Sequence, residues 1–400
     1  MEDSIFDGPL KNALYRTFWI CAFLSNMGTW IQEVASSWVM TNLNSSPLII
    51  ALLSFVNSLP VIFLSIPSGY FSDLGYRRHI LLAAQGLMFF SGCFLAFFAF
   101  AGSMTELRLL ILSLFMGVGV ALSSPAFQSV LTDLVPTPMH AQAVLVYYMG
   151  LNITRVLGPS TGGVILSTLG PGAAFLINSA SFLGLIFFFW KWPIKDSAQN
   201  YGKTKINPDD WLPLFSLHNL KLWAEILIVT FFTAALWALY PTRGRVEIGM
   251  DSVEYGSLLA FLGLGACVSV LFSKKLMTAE NAKKSLAGSY FVFGLGTLLL
   301  GLASEYYQVC IAMGLGGVGW LVLATLMNMS SRQITGKSKL RATMLGVFLA
   351  VFYAGYALGA VTWGAFAKAA GTKSSLALAA LGLLFIGCFK FWLDAKRRQN

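Results

Sequence analysis

Charge is what this chain has least of. Of its 400 residues, 11% are Asp, Glu, Lys or Arg, against roughly 25% in a soluble domain, so a water-soluble globular protein is excluded. Acids are the scarcer sign, 17 against 27 Lys and Arg. A mechanism that needs an embedded carboxylate must therefore rely on very few. The three histidines do not cluster, and Cys21, Cys93, Cys267, Cys310 and Cys388 fall singly in apolar segments without a CxxC pair. Neither a disulfide framework nor a metal site is implied. HExxH and GxxxxGK[ST] are absent, so no zinc-protease helix or phosphate-binding loop suggests an enzyme, and no cofactor is expected.

Hydrophobic residues make up 56% of the chain. They recur in runs of about 20, the length that spans a hydrocarbon core of about 30 Å. Twelve such runs are read, at 14–40, 47–71, 79–101, 107–131, 141–168, 171–192, 219–241, 253–273, 284–303, 305–329, 342–367 and 374–393. The fold class is an all-α membrane protein. Met1 to Asn12 is acidic and polar, with no cleavage site after a short apolar core, so the first run is expected to be a retained helix with a cytoplasmic N-terminus.

Basic residues support that orientation. With the N-terminus inside, the cytoplasmic side holds Lys11, Arg16, Arg77, Arg78, Lys191, Lys195, Lys203, Lys205, Lys274, Lys275, Lys283, Lys284, Lys337, Lys339, Arg341 and Lys396 to Arg398. The outer side holds Arg108, Arg243, Arg245, Lys368 and Lys373. Both termini are expected in the cytoplasm. The net charge of +10 is spread over short juxtamembrane loops, which suits anionic lipid headgroups rather than nucleic acid.

The longest polar interval, residues 194–218, separates six runs in 1–193 from six in 219–400. Within it Trp211 to Leu217 is too short to span and reads as an interfacial helix. A six-plus-six division is a signature of transporters built from two repeats, with the solute site between them near the bilayer midplane.

Two motifs add to this. Gly69-Tyr70-Phe71-Ser72-Asp73-Leu74-Gly75-Tyr76-Arg77-Arg78 lies between the second and third runs. Its glycines permit close helix contact, and Asp73 with the cations after it can form a charge cluster that breaks when two halves rock. Gly158-Pro159-Ser160-Thr161-Gly162-Gly163 lies in the fifth run. Proline removes a backbone hydrogen bond and glycines remove side-chain ridges, giving a helix that bends and packs tightly.

The first segment resembles the loop motif G-x-x-x-D-x-x-G-R-[RK] of the major facilitator superfamily, departing at Tyr76, where the pattern has glycine. The second resembles the G-P-x-x-G-G motif of that superfamily's antiporters, which marks exporters. Asn26 to Trp30, Pro125 to Gln128, Asn152 to Pro159, Gly172 to Asn178, Ala235 to Pro241, Tyr255-Gly256 and Gly263 to Ala266 resemble the enterobactin-exporter and macrolide-efflux branch. Phe127 and Tyr147 stand where that branch commonly has arginine and asparagine. The resemblance implies a major facilitator fold of 12 transmembrane helices in two six-helix bundles. It also implies a monomer in a bacterial inner membrane and proton-driven export of a siderophore or drug.

Candidate site residues follow from helical spacing. Tyr148, Asn152, Arg155 and Pro159 share one helix face. An embedded Arg155 is costly unless it meets a partner or a wet cavity. Its fork suits a carboxylate cargo, while the alternative is a structural tie to backbone carbonyls or to an acid on the first or fourth helix. Asn26, Thr29, Glu33 and Ser37 form another stripe. Glu33 is the proton-coupling candidate: burial disfavours its charge and Arg155 nearby would favour it; otherwise it is solvated at the outer interface. Glu225 and Asp133 read as a water-facing helix-end acid and an inner-loop charge. Asn57, Asn178 and Asn328 are buried amides that demand partners, and Trp237, Tyr353 and Tyr356 are aromatic candidates for the pocket wall. An importer and a lipid or lysolipid facilitator of the same fold remain as alternatives to an exporter.

Overall fold

A computed structural model describes residues 8–191, 216–272, 281–335 and 341–399. The interval 192–215, and with it most of the expected linker and interfacial helix, lies outside the described residues, as do Lys274, Lys275, Lys337 and Lys339. The described chain is helical throughout: α1 Ala13–Leu43, α2 Pro47–Asp73, α3 Arg77–Phe100 and α4 Glu106–Asp133. A continuous stretch His140–Lys191 follows, broken at Gly170 into α5 (140–169) and α6 (171–191). The later helices are α7 Leu217–Pro241, α8 Ser252–Leu271, α9 Ala282–Leu302, α10 Tyr306–Thr335, α11 Arg341–Ala370 and α12 Thr372–Gln399.

Local chemistry sets the ends. Asn12 starts α1 by accepting hydrogen bonds from the backbone N–H groups of Leu14 and Tyr15. Asp251 and Glu254 form a reciprocal capping box on α8, which satisfies donors a helix start leaves free. Gly170 takes φ 78° and ψ 175°, open only to glycine, and Pro171 then begins α6 without needing an amide donor. The break falls between the two expected runs, and it replaces a loop with one residue.

Among the described residues ten stretches are long and apolar enough to cross a membrane, with Thr137–Lys191 counted as one. α1 is the long helix outside that set. The polar stripe from Asn26 to Ser37 lowers its apolarity, so the helix that carries Glu33 is also the one least like a lipid-facing span. Phe90, Phe94 and Phe97 of α3 are exposed together, a surface that suits lipid rather than water.

Helices α1 and α3 pack against the α5–α6 stretch, and α4 packs on α2 and α3. Among the later helices α7 packs on α11, α8 on α10, and α9 on both α10 and α12. The first six meet the last six mainly along two antiparallel seams, α2 with α11 and α5 with α8. In lipid, apolar burial gives helices little drive to associate, so close van der Waals fit carries the contact. At the α9–α10 crossing a Cβ on Gly296 would stand 2.6 Å from the Gly316 nitrogen.

Candidate functional site

The glycine-proline segment of α5 serves two neighbours at once. A Cβ on Gly158 would lie 2.5 Å from Trp30 Cβ and one on Gly162 3.1 Å from Ile31 Cα, so these two glycines admit α1. On the adjoining face Pro159 and Gly163 admit α8: a Cβ on Gly163 would lie 2.5 Å from the Ser252 carbonyl, and one on Gly256 2.6 Å from the Pro159 carbonyl. The seam runs on to Arg155, whose carbonyl is 2.9 Å from the Cβ position of Gly263. Gly158 to Gly162 also fits the G-x-S-x-G spacing of serine hydrolases. Ser160 Oγ donates to the Val156 carbonyl at 3.3 Å within a continuous helix, not on the strand-to-helix elbow that such a nucleophile needs.

Arg155 is half-buried, with Cζ 5.8 Å from the centre of the Trp30 ring. Its Nε is buried and donates to nothing. Among the described residues the ion pairs are Arg77 with Asp133, Arg243 with Glu247 and Lys390 with Glu225, none of which involves Arg155. No Arg155–Glu33 pair is formed. The polar groups within electrostatic reach of Arg155 are Cys267 of α8 and Tyr353 of α11, both from the last six helices.

Glu33 is half-buried on α1 and lies among phenols of those same helices: Tyr240, Tyr255, Tyr353 and Tyr356 all feel its charge. Tyr240 and Tyr255 stack at 5.7 Å and 13°, and their hydroxyls approach Ser37 without reaching hydrogen-bond geometry. Trp38 packs on Tyr255 at 5.9 Å and carries Arg245 over its other neighbourhood, with Cζ 4.3 Å from the ring centre. Aromatic residues from α1, α7 and α8 thus form one connected layer near Glu33. Tyr353 links the two ionisable groups, since both act on it.

The remaining candidates divide. Tyr356 pairs with Tyr353 at 6.2 Å and reaches the Ser54 hydroxyl of α2. Trp237 meets Trp320 at 5.4 Å, and its buried indole N–H has no acceptor. Tyr148 is exposed and packs edge-on against Tyr147 at 5.7 Å. Asn152 uses its amide on its own helix, donating to the Tyr148 carbonyl at 3.0 Å. Asn57 and Asn328 are half-buried on α2 and α10. Asn178 is fully buried in the seam between α1 and α6, donating to Gln32 Oε1 at 2.5 Å.

At the loop between α2 and α3, Asp73 turns away from the cations that follow it. Its Oδ2 accepts from the backbone N–H and hydroxyl of Thr343 at 3.0 and 2.9 Å, capping the first turn of α11. A carboxylate there is favoured by the helix dipole. Arg77 instead pairs with Asp133 at 2.6 Å, and Arg78 donates to the Trp190 carbonyl at 2.7 Å. Gly69 is buried on α2. The departure at Tyr76 costs nothing, because the left-handed residue of the turn is Gly75, at φ 99°, while Tyr76 has φ −79°.

Three features escape a reading by sequence alone. Arg243 and Arg245, counted above as outer-loop charges, lie in a π-helical turn, Thr242–Glu247. Arg243 is buried and donates to the Leu300 and Ala303 carbonyls at the end of α9 while pairing with Glu247. The signal available was their position directly after Pro241, too near the helix end to be free. Glu225, expected to face water, accepts from Tyr290 at 2.5 Å and from Lys390, tying α7 to α9 and α12. Trp38 carried no sequence signal beyond being aromatic.

The family of transmembrane secretion effectors, within the major facilitator superfamily, matches residues 7–397. A staphyloferrin A transporter of Staphylococcus aureus is 22% identical over 289 residues, 70% of this chain and 72% of that one. An enterobactin exporter of Shigella flexneri is 24% identical over 333 residues, 80% of this chain and 76% of that one. Among solved structures, a POT family transporter in complex with a thioalcohol-conjugated peptide shares the fold. Its TM-score is 0.74 at 13% identity, covering 98% of this chain and 99% of that one.

Proposed function

Because the chain belongs to the transmembrane secretion effector family of the major facilitator superfamily, a secondary transporter that moves a small solute across a membrane, we propose that it is a proton-coupled exporter of an organic anion. In this reading α1 to α6 and α7 to α12 are two bundles that rock about the α2–α11 and α5–α8 seams, with both termini in the cytoplasm of a bacterial cell. The observation that carries it is Arg155: a half-buried guanidinium, without an ion-pair partner, set where α5 meets α8. A buried donor left unpaired is costly, and a carboxylate, phenolate or hydroxamate cargo relieves that cost.

Tyr353 and Tyr356 line the site opposite Arg155, and Tyr148, Asn152, Asn57 and Asn328 extend its wall. Asn178 positions α1 through Gln32. Glu33 takes up the coupling proton: it is an ionisable side chain embedded on α1, and among the described residues it pairs with no cation. Two relatives named for siderophores support a siderophore-sized chelator as cargo.

The test is uptake into everted vesicles against right-side-out vesicles under an imposed proton gradient. Accumulation in everted vesicles that collapses with the gradient is the expected result. Accumulation in right-side-out vesicles makes the protein an importer, and export that ignores the gradient removes the coupling.

A further inference from the structure

Trp320 of α10 is the hub of a connected set of rings. It meets Trp237 of α7 at 5.4 Å and 64°, Phe352 of α11 at 5.8 Å and 67°, and Phe293 of α9 at 5.8 Å and 43°. From Phe352 the set continues to Tyr353 at 5.6 Å, and Tyr353 faces the two charges contributed by the first six helices. Phe293 is fully buried, as core packing requires. Trp237, Trp320, Phe352 and Tyr353 are only half-buried. The buried indole N–H of Trp237 adds a donor that neither protein nor lipid chains satisfy.

The two halves therefore bring different chemistry together around Tyr353. The first brings a guanidinium and a carboxyl, and the second brings rings and an indole donor. A saturated anion would answer Arg155 and leave the rings with weak contacts. An uncharged arene would stack and leave Arg155 unpaired.

We propose that Trp320, with the ring wall it organises, is the specificity-determining residue for a flat, conjugated organic anion. Its ring system packs edge-to-face or offset against this wall while its carboxylate or phenolate meets Arg155. The inference rests on the transport reading above and narrows its cargo. Aromatic pairs of this geometry add roughly 0.5–1.5 kcal/mol each beyond the area they bury. Two such contacts amount to about tenfold in affinity.

Binding is measured by calorimetry on the full-length protein in nanodiscs, with 1-naphthoate, its saturated counterpart decahydronaphthalene-1-carboxylate and 1-naphthamide as probes. Naphthoate is expected to bind about tenfold more tightly than either of the others. Trp320→Leu should bring naphthoate down to the level of the saturated acid while leaving that acid within twofold of its wild-type value, and Trp320→Phe should restore most of the preference. Arg155→Gln should remove the preference for naphthoate over naphthamide. A purely structural Trp320 would weaken both acids together. Equal wild-type affinity for the two acids, or a preference that survives Trp320→Leu, overturns aromatic selection and leaves anion transport standing. Failure of both acids to bind overturns the two readings together.

Discussion

The two seams that join the first six helices to the last six share close backbone packing and differ in what is added to it: Gly346 and Gly364 of α11 admit α2 against the Ser65 carbonyl and Ala51 Cβ, where a side chain on either would clash. Along α2 and α11 the contact is pinned by polar groups: Asp73 on Thr343 at one end and, two turns further, Ser65 Oγ donating to the Gly346 carbonyl at 2.8 Å. Along α5 and α8 the contact is backbone against backbone at Pro159, Gly163, Gly256 and Gly263. Hydrogen bonds to a carboxylate contribute about 1.5–3 kcal/mol and have a preferred geometry. Dispersion between glycine faces is non-directional but short-ranged, so it holds the two backbones close without selecting a partner atom. One seam adds hydrogen bonds to close packing, and the other relies on close packing beside Arg155.

Closing the smooth seam should produce the largest effect. Gly163→Leu, whose first carbon already meets the Ser252 carbonyl at 2.5 Å, is expected to abolish vesicle transport. Overpacking of this kind costs about 1–3 kcal/mol, so the protein should still insert and purify; normal transport by this variant would mean that α5 and α8 do not approach as described. Arg155→Ala comes next, with transport of an anionic cargo lost and Arg155→Lys retaining part of it. Full activity in both variants would remove Arg155 from the mechanism.

The pinned seam is opened by Asp73→Ala, which should speed hydrogen exchange at the start of α11 by about tenfold or more, from the loss of a charge-assisted bond. Unchanged exchange at Thr343 would show that the carboxylate does not hold that helix. Glu33→Gln should flatten the dependence of transport on pH while cargo binding persists; a profile like the wild type would place the proton site elsewhere. The smallest effect on transport is expected from Asn178→Ala. It removes the bond to Gln32, lowering stability by ~1–3 kcal/mol with cargo selectivity intact, and altered selectivity would bring Asn178 into the cargo site.

Much of the scaffold was legible because it is written locally. Span length, the Gly170-Pro171 break and the two glycine motifs each depend on a few neighbouring residues. The site was legible only by halves. Helical spacing put Arg155 and Glu33 on stripes, yet which helix each stripe faces depends on contacts across hundreds of residues, and both face α8 and α11 rather than each other. The partner of Asp73 lies 270 positions away, beyond any local pattern. Asn178 illustrates a limit of residue type: a buried amide does demand a partner, but a neighbouring helix supplies it as readily as a solute does.

Gly170 has nothing within 4 Å of its missing side chain and still cannot be replaced freely, since its φ of 78° is the constraint. With one residue and no loop between them, α5 and α6 meet at a joint whose backbone geometry only glycine holds. α5 meets α8 on one face and, through Gly158 and Gly162, α1 on another, while α6 is tied to α1 through Asn178, so the helix of Glu33 is gripped on both sides of that joint.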